Sequence, residues 1–150
     1  MNRIINLGKV DSALKEIETI KNNDYVPFDI RIINSHLLDL NNIIGMKVFK
    51  KDALYVNSRT LWEIMQPIGG RGKHHYHELS PKEILEALLK MKNALEVVPS
   101  YDNRYLIITL ATISNGTNIA IVLEKDAQII KDGKKHLVTK VVTMYPKLKK

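Results

Sequence analysis

The densest group of chemically capable side chains in this 150-residue chain is the run Arg71-Gly72-Lys73-His74-His75-Tyr76-His77-Glu78. Histidine titrates near neutrality, so His74, His75 and His77 can take or give a proton at neutral pH. Arg71 and Lys73 can neutralise a phosphate. The run ends just before Ser80-Pro81-Lys82-Glu83, a helix start whose free N–H groups and positive dipole end favour an anion. Three cues for a phosphate therefore converge. The plain alternative is a solvated polar loop.

A metal reading is weaker. His75 and His77 flank Tyr76 as two candidate zinc ligands, with Glu78 next to them. A third ligand at motif spacing is missing, and only His36, His136 or a distant carboxylate could complete the set. No metal and no cofactor are expected. Phosphate-cradling and nucleophile-elbow glycine motifs are absent. A second candidate lies near the C-terminus in Val141-Val142-Thr143-Met144-Tyr145-Pro146-Lys147. On a strand Thr143 and Tyr145 share a face, and Lys147 continues it with a cation. Thr and Tyr are also ordinary strand formers.

The elements that must position these groups follow from periodicity. Residues 10–21 read as a helix, capped by Asp11 or Ser12, with Leu14, Ile17 and Ile20 on one face. Residues 28–49 are ambiguous: Ile30, Ile32 and Ile33 suggest a strand, Leu37, Leu38, Leu40, Ile43 and Ile44 fit either type, Gly45 is a break, and Met46–Phe49 fits a short strand. Ala53–Val56 reads as a strand and Ser58 as the cap of a helix through Met65, closed by Pro67 and Gly69-Gly70. Ser80 and Glu83 form a capping box around Pro81, opening a helix that buries Ile84, Leu85, Leu88, Leu89 and Leu95. Beyond it the chain is strand-like: Val97-Val98, Tyr105–Ile113, a Ser114-Asn115-Gly116 turn, Thr117–Leu123, a Lys131-Asp132-Gly133 turn and His136–Tyr145. In the last strand, strict alternation puts Leu137, Thr139, Val141 and Thr143 on one face. Trp62 and Phe49 read as core. The order predicts an α+β fold, with N-terminal helices packed on a three- to four-stranded antiparallel sheet.

Composition frames the partner. The chain fits one domain, with 45% hydrophobic residues, enough for a core without staples. It has no cysteine, no apolar run of membrane-spanning length and no secretory leader pattern, so a cytoplasmic protein without a membrane partner is expected. Net charge is +7 and unevenly placed. From Lys125 to Lys150 eight lysines, Lys140 and Lys147 among them, face only Asp126 and Asp132, which leaves +6 in the last 26 residues. Such a field attracts a polyanion through counterion release. No basic amphipathic helix accompanies it, which disfavours a membrane surface.

A histidine-bearing loop, then Leu79-Ser80-Pro81-Lys82-Glu83, then a hairpin-rich sheet ending in Thr143-Met144-Tyr145-Pro146-Lys147 resembles the barnase–EndoU–colicin E5/D–RelE-like (BECR) nucleases, in the versions found in phages and mobile elements. The resemblance covers 53–147; residues 1–50, a helical or mixed part of the same domain, lie outside it. It implies a barnase-like sheet and a metal-independent endoribonuclease of phage or toxin type. Such an enzyme cuts RNA by attack of the 2′-OH on the adjacent phosphate. On this resemblance His74, His75 or His77 serve as acid and base, Thr143 and Tyr145 stand on the terminal strand, and Arg71, Lys73, Lys140 and Lys147 hold the substrate. Many relatives have Ser at the position of Thr143. The partners implied are RNA, tRNA among them, or another single-stranded nucleic acid, and an antitoxin or immunity protein. The alternative expectation is a non-catalytic nucleic-acid- or protein-binding module, such as a phage-encoded inhibitor of a host nucleic-acid enzyme.

Overall fold

Period-2 burial is present from Ile30 onward, in the stretch where Ile30, Ile32 and Ile33 suggest a strand. A computed structural model describes residues 2–6, 9–19, 29–66, 77–100 and 102–147, with backbone alone at 2–6 and 131. Strand β1 (Asn2–Asn6) leads into helix α1 (Val10–Glu18), which buries Val10, Leu14 and Ile17 and has no side-chain cap. Strand β2 (Asp29–Ile33) comes next, with Ile30 and Ile32 inward and Arg31 between them. Helix α2 (His36–Ile44) ends at Gly45, whose φ of 86° is the left-handed closure that glycine accepts without strain. Met46–Phe49 is not a strand. The Asn41 side chain takes the place of a pairing partner: its Oδ1 accepts from the N–H groups of Val48 and Phe49, and its Nδ2 donates to Phe49 O. Strand β3 (Ala53–Asn57) runs straight into helix α3 (Ser58–Met65), and Asn57 rather than Ser58 is the cap, its side chain accepting from Arg59 N–H.

Helix α4 (Pro81–Leu89) opens as the sequence dictates. Glu83 N–H donates to Ser80 Oγ at 3.1 Å, and Ser80 N–H donates to Glu83 Oε1 at 2.9 Å. A 3-10 turn (Lys90–Asn93) then changes the helical phase, so Leu95 is not buried as expected but 58% exposed, and Leu89 also faces outward. Strands β4 (Glu96–Pro99), β5 (Arg104–Thr112), β6 (Asn118–Lys131) and β7 (Lys134–Pro146) complete the chain. Their tight turns use Gly116 and Gly133, both at positive φ.

The sheet has seven strands in the order β1-β2-β3-β7-β6-β5-β4. The expected three- to four-stranded antiparallel sheet is therefore its C-terminal part only, since β4–β7 form an antiparallel meander. The β1–β2 and β3–β7 pairs are parallel, which makes the whole sheet mixed. Helices are also not gathered ahead of the strands but alternate with β1–β3. Strand β3 covers the run the sequence marks as a strand, and β2 the Ile30, Ile32 and Ile33 that suggest one, but nothing local shows that they join the C-terminal sheet. One core cluster joins the helices to one sheet face, drawing on Leu14, Leu37, Leu40, Phe49, Trp62, Leu88 and Met91 from the helical side and Ile30, Leu54, Ile107, Ile121 and Val141 from the strands. Phe49 and Trp62 are core, and Phe49 meets Tyr105 edge-on at 5.7 Å. The other sheet face carries Arg31, Tyr55, Val122, Lys140, Thr143 and Tyr145, all half-buried.

Two bulges set which residues face which side. Val122 pairs with Thr143 but Leu123 pairs with Val141, so Val142 is an extra residue on β7. Val141 and Met144 both enter the core although three residues apart, and Thr143 lies opposite Val122 on the other face from Val141. The strict alternation that grouped Val141 with Thr143 fails for this reason. The second bulge lies on β6, where Glu124 pairs with Lys140 and Ala127 with Val138, leaving Lys125 and Asp126 against Thr139 alone. Asp126 takes φ 57° there, and Lys125 N–H is held by Asn103 O.

Candidate functional site

His77 is the part of the histidine loop that lies among the described residues; Arg71, Lys73, His74 and His75 lie outside them. Two backbone bonds tie the next two residues to the end of α3: Glu78 N–H donates to Gln66 O at 2.8 Å and Leu79 N–H to Ile64 O at 3.1 Å. Leu79 is buried, so this junction is anchored by apolar packing as well. The His77 ring consequently sits against the Tyr145 ring, with centroids 5.8 Å apart and planes at 42°. Sixty-eight positions of sequence separate these two residues.

Thr143 precedes Tyr145 by two on the same side of β7, since both flank the inward Met144. Its Oγ1 is buried and has no hydrogen-bond partner among the described residues, a condition that costs free energy unless something satisfies it. Next to it a small cleft of about 180 Å³ runs between α3 and β7, lined by Thr60, Glu63, Ile64, Val142 and Thr143. Burial raises the Tyr145 phenol above its ordinary pKa of 10.0, because the phenolate would be poorly solvated there. Tyr145 is therefore a neutral hydrogen-bond donor at physiological pH. The described end of this site thus holds an imidazole, a carboxylate, a phenol and a hydroxyl.

The α4 N-terminus is less available to an anion than its sequence suggests. The Ser80 hydroxyl takes the Glu83 N–H, and the Glu83 carboxylate brings negative charge to the first turn. Among the described residues no group of three His, Asp or Glu side chains could hold a metal.

Lys140 is placed at the middle of β7, paired with Glu124 on one side and Tyr55 on the other. It sits on the sheet face of Arg31 and Tyr55. Nearby, β3 pairs with β7 only at Leu54–Thr139 and Tyr55–Lys140. Where the two strands part, a cleft of about 410 Å³ opens, and its walls include Arg31, Lys50, Lys51, Lys125, Tyr55 and His136. Asp126 is the single acid among its described lining residues, and Val48, Ala53, Leu137 and Val138 supply apolar wall. Arg31, Lys50, Lys51 and Lys125 form no ion pair among the described residues, whereas Arg104 of the same sheet is paired with Glu124.

Sequence reasoning missed Glu63 and this second cleft. Glu63 shows only as one acid on the polar side of a short helix. Of the cleft residues only Lys125 stood in the basic C-terminal count. No protein-family model, no curated protein and no solved structure matches the chain.

Proposed function

We propose that the chain is a metal-independent endoribonuclease whose reaction centre is the His77–Tyr145 end of β7. The single observation behind this reading is the contact of His77 with Tyr145, beside Thr143. Transesterification of RNA needs a base for the 2′-OH, an acid for the departing 5′-oxygen and donors for the phosphorane oxygens. Two of the groups near this end are of types that take part in proton transfer, the His77 imidazole and the Glu63 carboxylate. In the forward step one of them removes the 2′-OH proton. The 2′-oxygen attacks phosphorus, the P–O5′ bond breaks, and the other group protonates O5′, leaving a 2′,3′-cyclic phosphate. Tyr145 and Thr143 are donors suited to the charge that builds on the non-bridging oxygens. Lys140, Lys147 and the other lysines of the β6–β7 hairpin hold the strand by its phosphates.

The test is incubation of the pure protein with tRNA, mRNA and short oligonucleotides in EDTA. Cleavage yielding cyclic phosphate ends is expected, and intact RNA after hours excludes the enzyme reading. A non-catalytic nucleic-acid-binding module is the second reading, favoured by the cations around the larger cleft that form no ion pair among the described residues. It predicts salt-sensitive RNA binding without cleavage.

A further inference from the structure

We infer that the cleft between β3 and the β6–β7 hairpin is a binding site for a phosphorylated nucleoside, separate from the His77–Tyr145 end. Its volume, about 410 Å³, lies in the range of sites that hold a small ligand. What distinguishes it is the mixture on its walls. Arg31, Lys50, Lys51 and Lys125 bring four positive charges, none neutralised by a described partner. That is a cradle for a phosphate rather than for a neutral or cationic ligand. Tyr55 adds an aromatic ring on which a base can stack. The Asp126 carboxylate is an acceptor for ribose hydroxyls, and the apolar wall suits the rest of the nucleoside. A bare phosphate would use the cations but neither the ring nor the apolar wall.

The fold shapes this cleft in two places. The β6 bulge turns Lys125 and Asp126 toward it together, with Asp126 held at positive φ. The Asn41 side chain binds the backbone at Val48 and Phe49, which fixes the start of the segment that carries Lys50 and Lys51. The same chemistry is presented by a free nucleotide and by the phosphorylated end of a strand. The inference does not depend on cleavage, because it concerns binding at the far end of β7.

Isothermal titration of the full chain with adenosine 5′-monophosphate, adenosine and inorganic phosphate tests it. The monophosphate should bind about tenfold or more tighter than either fragment. Lys50→Ala/Lys51→Ala should weaken it by about tenfold or more at an unchanged Tm, since both lysines are exposed. Tyr55→Leu should weaken the monophosphate and leave phosphate alone. Competition by a 5′-phosphorylated tetranucleotide, but not its 5′-hydroxyl counterpart, identifies a strand end as the source; competition by neither identifies a free nucleotide. No binding at millimolar monophosphate, or binding indifferent to the lysine pair, overturns the inference. RNA cleavage that persists alongside either result leaves the proposed function standing, and nucleotide binding without cleavage leaves this site standing without it.

Discussion

At its Tyr145 end β7 presents groups that can move or share a proton, half-buried and packed against α3 and the segment before α4. Over its His136–Thr139 half the same strand borders four cations that form no ion pair among the described residues, with Asp126 as the one described acid beside them, in a larger cleft. Both ends owe their side-chain placement to a bulge, one on β7 at Val142 and one on β6 at Lys125-Asp126. Along the strand the ends are roughly 20 Å apart, at about 3.3 Å per residue. The difference teaches that one strand can separate chemistry from grip. Desolvation sharpens proton transfer and hydrogen bonding, while attraction of a polyanion works from exposed charge.

The largest effects should fall on the first end. His77→Ala and Tyr145→Phe are expected to lower RNA cleavage by about two to four orders of magnitude for the histidine and by about two for the phenol. RNA affinity should change little in both, and EDTA should not alter the parent rate. Rate measurements with saturating RNA decide this. A His77→Ala protein that cleaves as fast as the parent moves the chemistry elsewhere and dissolves the contrast between the ends.

Next in size comes the second end. Lys50→Ala/Lys51→Ala should leave the rate at saturating RNA intact while weakening RNA binding. The slope of log affinity against log salt should flatten by about 1.4 for two lost contacts to a single strand. Fluorescence anisotropy over a salt series measures it. An unchanged slope means the polymer does not cross the cleft.

Legibility in the sequence tracks the range of the interactions. The α4 capping box, the Asn115-Gly116 and Asp132-Gly133 turns and the Gly45 break are local, and each is present where its residues stand. Of the three loop histidines, His77 is described, and it meets Tyr145, a pairing implied by the resemblance in giving both residues to one site. β1 to β3 were not legible as strands of the same sheet. Their pairing is long-range, and β3 meets β7 across more than eighty residues. The larger cleft was hidden for the same reason: Arg31, Lys50, Tyr55 and Lys125 are scattered, and only the parallel β3–β7 pair gathers them. Bulges were invisible too, since one extra residue at Val142 leaves no mark in a run of β-branched side chains.

A smaller effect concerns the element between the ends and the loop. Ser80→Ala should lower stability by about 0.5–2 kcal/mol, because Glu83 N–H loses its acceptor. Thermal or urea unfolding reads this. Activity should fall only as far as the His77–Leu79 segment loosens from α3. A substitution without effect on unfolding shows that the box contributes nothing, and the α3 contacts alone then place His77.

The smallest effect is the alkaline one, and it bears directly on the claim that the two ends differ in solvation. Burial holds the Tyr145 phenol protonated to higher pH in the folded chain than in the unfolded one. Between those two pKa values the native state binds the proton and the unfolded state has released it. Stability from this group is therefore complete below pH 10 and is lost as pH rises through the folded value. Lysines also titrate in that region, so the raw pH profile mixes several groups. The difference between the parent and Tyr145→Phe isolates the phenol, provided the lysines respond alike in both. Relative to the variant, the parent should lose stability above about pH 10 and run parallel to it near neutrality. Urea unfolding midpoints at half-unit intervals measure this. Parallel curves throughout would mean that Tyr145 is as well solvated as a surface tyrosine, and the proton-handling end of β7 would then lack the desolvation that sets it apart from the cleft.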